Sequence, residues 1–226
     1  TLNYAEIQQT AVVCGNANVT RTLEAGSAME SPTAQRFTSW NMVQLEDFHA
    51  YDSVPDYAPT DPFGGIMLPH IVTDRAVRVG RQADADRLIV HYVPPHNPYR
   101  AAALENNRPL ESHEYRPFEC LKEGGDRSLV WDTYLHELRW VLADVAILLD
   151  NIDAETAVIT ADHGELFGHL GLYSHPTGVL HPRLRRVPWV ETTATDSGEY
   201  EPHYEKTGKT RMIEETTKQL EYLGYR

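Results

Sequence analysis

The chain has 226 residues, 41% of them hydrophobic, and a formal net charge of −13. That length and apolar content suit one domain with a sizeable core. The negative charge opposes general nucleic-acid binding, and no stretch approaches the roughly 20 apolar residues of a membrane-spanning helix.

In chain order, the first clear element is Thr10-Ala11-Val12-Val13-Cys14-Gly15, a short apolar run closed by Gly-Asn that reads as a buried strand. Residues 21–70 are rich in Pro, Ser, Asp and aromatics and read as irregular structure with one short helix at most. Thr73, following Pro69, is the expected N-cap of a helix reaching about Ala83. Arg87-Leu88-Ile89-Val90-His91-Tyr92-Val93 reads as the next buried strand, stopped by Pro94-Pro95, which cannot continue a ladder. Residues 97–127 are again polar and irregular.

A long helix follows. Trp131, Leu135, Leu138, Leu142, Val145 and Leu149 recur at alternating steps of four and three, which places all six on one expected core face. Thr156-Ala157-Val158-Ile159-Thr160 is a β-branched run expected to be a central strand. Val187-Pro188-Trp189-Val190 reads as a short strand, with Pro188 at an edge or strand start. Residues 192–209 are loop-like, and Thr210 to Leu223 reads as a closing helix stopped by Gly224. This alternation predicts an α/β fold with a mostly parallel sheet flanked by helices, formed as a single domain over 1–226. Ligands of such sheets gather at the carboxyl ends of the strands, where Pro94-Pro95-His96 and Asp162-His163 both fall.

Asp and His are good ligands for zinc or manganese, and Gly164 removes bulk where the backbone turns. The competing reading is an Asp that caps the next helix, with His163 as a polar neighbour. His96 could donate to a developing oxyanion or protonate a leaving oxygen; it could equally be a loop histidine held by proline-rich turns. His91 lies within a strand and reads as a packed core residue. Glu111-Ser112-His113-Glu114 reads as a solvated loop, and Asn18-Val19-Thr20 matches a glycosylation sequon that arises easily by chance. Cys14 and Cys120 are too far apart in sequence for a zinc ribbon or a disulfide framework, and Cys14 reads as a buried small residue.

Thr160-Ala161-Asp162-His163-Gly164-Glu165 resembles the Thr-Ser/Ala-Asp-His-Gly-Glu signature of sulfatase-like hydrolases of the alkaline-phosphatase superfamily. The flanking Phe167-Gly168-His169, Tyr173-Ser174-His175 and Arg186-Val187-Pro188-Trp189 are similar to the run that leads to that family's Arg-Val-Pro strand. The resemblance implies an alkaline-phosphatase-like three-layer sandwich and a divalent metal (Ca, Mg, Mn or Zn) held by Asp162 and His163. It also implies a sulfate- or phosphate-ester substrate. By the family's His-x-Pro element, His96 faces the sulfate or phosphate group. His175 is carried over as the second residue that meets the substrate oxyanion, with His169 and His181 as competitors in the same loop. Both His96 and His175 are thus expected to be catalytic and substrate-binding. Arg183, Arg185 and Arg186 could bind an anion, but the reading preferred for them is a solvated basic cluster on an acidic surface.

The family's nucleophile is a Ser or Thr, or a modified Cys in Cys-x-Pro-x-Arg; Cys14-Gly15-Asn16-Ala17-Asn18 does not match the latter. The run through Cys14 instead resembles the strand after the nucleophile helix, leading into an Asn-rich loop. The expectation is therefore a chain without its first strand and nucleophile segment, with little ester hydrolysis of its own. Thr1-Leu2-Asn3-Tyr4-Ala5-Glu6 has neither Met nor a signal-peptide pattern, so a processed or partial chain of cytoplasmic location is expected. The only lysines are Lys122, Lys206, Lys209 and Lys218, and this acid-rich, lysine-poor composition resembles salt-adapted haloarchaeal members. The alternative to an enzyme is a catalytically inactive α/β module that binds a metal or an anion.

Overall fold

A computed structural model describes residues 3–25, 43–59, 63 and 67–206. The expected closing helix from Thr210 to Leu223 lies outside them. The chain is α/β and divides into two compact units, Thr1–Val93 with Glu201–Arg226, and Pro94–Tyr200.

The first unit is built on a parallel sheet of β1 (Thr10–Cys14), β2 (Ala50–Ser53) and β3 (Arg87–His91), in the order β2-β1-β3. Ala11 to Cys14 pair with Ala50 to Ser53, and Thr10 to Cys14 pair with Arg87 to His91. Strand β1 is buried along its whole length, as its unbroken apolar run requires. Strand β3 starts where expected but ends at His91, and it is only partly buried because β1 is its single strand neighbour among the described residues. Strand β2 falls inside the stretch expected to be irregular. Its four residues are recruited by pairing with β1.

Helices α1 (Tyr4–Ile7) and α2 (Ala17–Ala25) flank β1 in sequence. Where an Asn-rich loop was expected, α2 forms because the Asn16 side chain accepts a hydrogen bond from the Asn18 backbone N–H (3.0 Å) at the helix start. Between β1 and α2, Gly15 donates its N–H to the His91 carbonyl (2.9 Å). A Cβ there would lie 2.9 Å from Val72 Cγ2 and 3.1 Å from that same carbonyl, so the close approach of α3 and β3 demands glycine.

Helix α3 (Pro69–Gln82) covers β1 and β3 with Ile71, Val72, Ala76 and Val77. It begins four residues before the expected cap. Pro69 occupies the first turn, where its missing N–H costs nothing, and Thr73 lies inside the helix with its hydroxyl 2.8 Å from Tyr92 Oη.

The second unit contains α4 (Ala101–Glu105), α5 (Ser112–Tyr115), α6 (Pro117–Lys122), α7 (Arg127–Leu149), β4 (Ala154–Thr160), the hairpin of β5 (Leu166–His169) and β6 (Leu172–Ser174), α8 (Pro182–Arg185) and β7 (Trp189–Ala194). The expected irregular stretch 97–127 thus holds three short helices. Strand β4 was expected at the centre of the parallel sheet. Among the described residues it pairs only with β7, antiparallel, from Ala154↔Ala194 to Thr160↔Trp189. Pro188 precedes β7, in keeping with a strand start.

Helix α7 has the expected period and a different phase. Its buried residues are Val130, Glu137, Val141, Asp144 and Leu148, each one position before the expected stripe. Trp131 is 43% exposed and Leu142 40%. The displacement of one residue, about 100° around the helix, follows from Glu137. Its Oε2 accepts the backbone N–H groups of Arg100 (2.6 Å) and Ala101 (2.7 Å) at the start of α4, and its Oε1 accepts from Arg100 Nη2 (3.1 Å). Both side chains are fully buried. The carboxylate caps one helix and pairs a buried guanidinium, so the polar position is held inside and the apolar ones rotate outward.

Replacing Glu137 by Ala strands the buried Arg100 charge and uncaps α4, with an expected loss of about 3–5 kcal/mol. Leu142→Ala costs about 1 kcal/mol or less because Leu142 is already part-exposed. Urea unfolding of both variants measures the order; a larger loss for Leu142→Ala would restore the phase read from the sequence.

Candidate functional site

The chemistry gathers in the second unit, in the segment between β4 and β5 and just after β6. Asp162 and His163 follow β4, and the next regular element is the strand β5. Asp162 therefore does not cap a following helix. Its Oδ1 accepts the His163 backbone N–H (2.9 Å), which leaves Oδ2 directed to the ring of His163.

His163 Nδ1 lies 2.9 Å from the Gly164 carbonyl, an atom that can only accept, so Nδ1 carries the proton. In the neutral ring the lone pair is then on Nε2, and Nε2 stands 3.6 Å from Asp162 Oδ2. Two donors with bonds of about 2.1 Å to one ion at a tetrahedral angle lie about 3.4 Å apart. The pair thus fits adjacent positions in one metal shell, and the Nδ1–H bond to a carbonyl is the support that metal-bound histidines use. It would supply only two ligands. No group of three or more His, Cys, Asp or Glu suited to a metal occurs among the described residues.

Gly164 leaves out side-chain bulk, as expected, and the neighbour that needs the space is the backbone of α8. Its N–H bonds the Leu184 carbonyl (2.9 Å), and a Cβ would fall 1.9 Å from the Arg183 carbonyl. Close contact with the backbone of α8 excludes any side chain.

His175 is brought to this pair by the β5–β6 hairpin. Its ring centroid is 4.2 Å from that of His163 and 5.8 Å from that of His96. The three predicted histidines therefore converge. Ser174, just before it, has φ +63°, a left-handed conformation that costs a non-glycine residue energy and re-aims the chain at His175. His175 Nδ1 is 3.1 and 3.2 Å from the two oxygens of Glu165. This hydrogen bond raises the His175 pKa against the opposing effect of burial, with the Glu165 and Asp162 charges adding to the rise. Glu165 was read as part of the motif without a role of its own. The hairpin, which returns residue 175 to residue 165, reveals the role.

Ser174 Oγ lies 3.5 Å from His175 Nδ1, the nitrogen that also faces Glu165. A serine-histidine-acid relay needs the hydroxyl and the acid on opposite nitrogens, so this is not one.

The competing histidines have other partners. His169 Nε2 lies 3.3 Å from Arg127, and its pKa is lowered by desolvation and by the Arg183, Arg127 and His181 charges. His181 Nδ1 accepts the Arg183 N–H (3.1 Å) and caps α8. His96 is exposed, with Nδ1 bonded to the Asn97 carbonyl. A cavity of about 250 Å³ is lined by His163, His175, Val179, Leu184 and Arg185, among others. Arg185, at the edge of this opening, is exposed, in keeping with the solvated cluster expected for it.

No family model, curated protein or solved structure matches this chain.

In metal-free protein, His175 should titrate above the usual histidine value of about 6.5, and Glu165→Gln should bring it back toward that value, as read by NMR. Because the folded-state pKa is raised, the contact stabilises fully below the unfolded value and is lost as pH rises through the folded one. The stability difference between wild type and Glu165→Gln should accordingly be larger near pH 6 than at alkaline pH. A His175 pKa at or below the ordinary value, unchanged by the substitution, would contradict the pairing.

Proposed function

We propose that this chain carries the metal- and anion-binding part of a sulfatase-like hydrolase or transferase acting on sulfate or phosphate esters. The observation that carries the reading is the 3.6 Å separation of Asp162 Oδ2 and His163 Nε2, with His175 beside them held toward its charged form by Glu165. The resemblance of residues 156–190 to the family's metal-site run gives the same assignment to Asp162 and His163.

A divalent ion bound there would polarise an ester oxygen as a Lewis acid. Each residue has a distinct part in this reading. Asp162 and His163 hold the ion, and the Gly164 carbonyl fixes the tautomer of His163. His175, as an imidazolium, offers positive charge and a proton to the anionic oxygens. Glu165 orients it and keeps it protonated. Arg185, an exposed residue at the edge of the same opening, would add positive charge. His96 stands next to His175 and can donate to the same group. A net charge of −13 makes such local positive charge necessary for any sulfate or phosphate to approach.

Covalent transfer also needs a nucleophile beside the ion. The second reading, a metal- and anion-binding module without chemistry, rests on the relay-incompatible placement of Ser174, the hydroxyl within reach of His175.

Calorimetric titration with Zn²⁺ and Mn²⁺ should show saturable uptake by the wild type and at least a tenfold weaker constant for Asp162→Ala and His163→Ala. Uptake that is identical in all three chains would defeat both readings. With metal bound, His175→Ala and Arg185→Ala should weaken sulfate or vanadate binding. Turnover of an aryl sulfate or aryl phosphate by the metal-loaded chain, lost in Asp162→Ala, would decide for the enzyme over the module.

A further inference from the structure

In the first unit, helix α3 buries charge as well as apolar surface. Asp74 and Arg75 are 1% and 7% exposed beside Ile71, Val72, Ala76 and Val77. Buried charges need partners, and Arg75 finds one in Asp52 of β2 through Nε (2.9 Å) and Nη2 (2.8 Å). The Tyr57 hydroxyl donates to the same carboxylate at 2.9 Å.

The remaining capacity of this charged face is directed to the main chain of a distant segment. Asp74 Oδ1 accepts the His203 N–H (2.7 Å), and Asp74 Oδ2 accepts the Tyr204 N–H (2.9 Å). Arg75 Nη1 donates to the Tyr204 carbonyl (2.8 Å), and Arg78 Nη2 donates to the Pro202 carbonyl (2.8 Å). Four hydrogen bonds therefore engage the backbone of three successive residues. Pro202, which has no N–H to give, is engaged through its carbonyl.

The side chains of this segment alternate. Pro202 and Tyr204 are half-buried, whereas Glu201, His203 and Glu205 are exposed. The Tyr204 ring lies 6.3 Å from that of His70 in the first turn of α3, and Glu205 stands 4.0 Å from Arg78. Main-chain bonds with alternate side chains turned inward are how proteins hold extended peptides.

We infer that the face of α3 bearing Asp74, Arg75 and Arg78 is a recognition site for an extended peptide of the pattern Pro-x-Tyr-acidic, filled in cis by Pro202–Glu205 as an exchangeable strap. The paired Asp74 acceptors and the two guanidinium donors set backbone position. Tyr204 against His70, and the acid against Arg78, set register.

Two measurements on the full chain test this. Hydrogen exchange should show the His203 and Tyr204 amides protected in the wild type and at least about tenfold faster in Asp74→Ala. Free-peptide exchange rates in the wild type, or unchanged protection in the variant, would sink the proposal. Because loss of a buried carboxylate can disturb α3 itself, the second arm leaves Asp74 intact. The double variant His203→Pro/Tyr204→Pro removes two of the four main-chain bonds and the Tyr204 ring, and loss of protection across residues 199–206 confirms that the strap is released. A labelled peptide with the sequence of residues 199–206 should then bind this variant saturably, at least about tenfold more tightly than the wild type, whose site is occupied. No binding to the variant, or equal binding to both chains, overturns the inference.

Discussion

Glu137 meets Arg100 in a place from which water is excluded, and much of the second unit follows from that encounter. The carboxylate accepts two main-chain N–H groups and a guanidinium, so three donors that would be costly to bury alone are satisfied by one side chain. The requirement fixes how α7 is turned about its axis. With Glu137 inward, Val130 and Tyr134 face the cluster of Tyr99, Phe118, Leu121 and Phe167. Phe167 belongs to β5, and the ring of Tyr134 meets it edge-on at 5.2 Å. Strand β5 begins one residue after Glu165. The ion pair thus sets the helix, the helix seats the hairpin, and the hairpin returns His175 to Glu165.

The site sets a local electrostatic pattern against the charge of the whole. A chain of net charge −13 disfavours anions at long range. Locally the balance differs: Glu165 holds His175 toward its charged form, and a divalent ion at Asp162 and His163 would, in the proposed reading, add more positive charge than any side chain there. His175, part-buried against Glu165, is less screened than the distributed surface acids. In the proposed reading, such an arrangement would suit a compact, multiply charged group that touches several donors at once.

Sequence patterns read by period alone located β1, β3 and α7 well, since an apolar run or a 3.6-residue repeat is a local property. Phase was less legible. Counting apolar residues assigns Glu137 and Asp144 to the surface, and nothing in their neighbourhood announces that Arg100, 37 positions away, will draw Glu137 inside. Strand β2 and the short helices of 97–127 were missed for a related reason: their residues have weak preferences, and pairing or packing with distant segments decides. The start of α3 was misplaced because Thr73 looked like a cap while Pro69, a first-turn residue, went unused as one. Asp162, His163, His96 and His175 were each singled out in the sequence, and the structure places the three histidines near one another. The contact of Glu165 with His175 was not legible, because it depends on how tightly a hairpin closes.

Gly164 ties two functions of one loop into a single mechanical part. Its N–H bonds the carbonyl of Leu184, and its Cα abuts that of Arg183, so neither strand of chain can shift without the other. One strand carries His163; the other leads directly into Arg185. A displacement of the backbone at Leu184 is therefore passed to the backbone beside His163 through peptide groups in direct contact. If the proposed ion and oxyanion bind on either side of this contact, thermodynamic reciprocity links them: whatever the oxyanion does to the affinity for the ion, the ion must do in equal measure to the oxyanion.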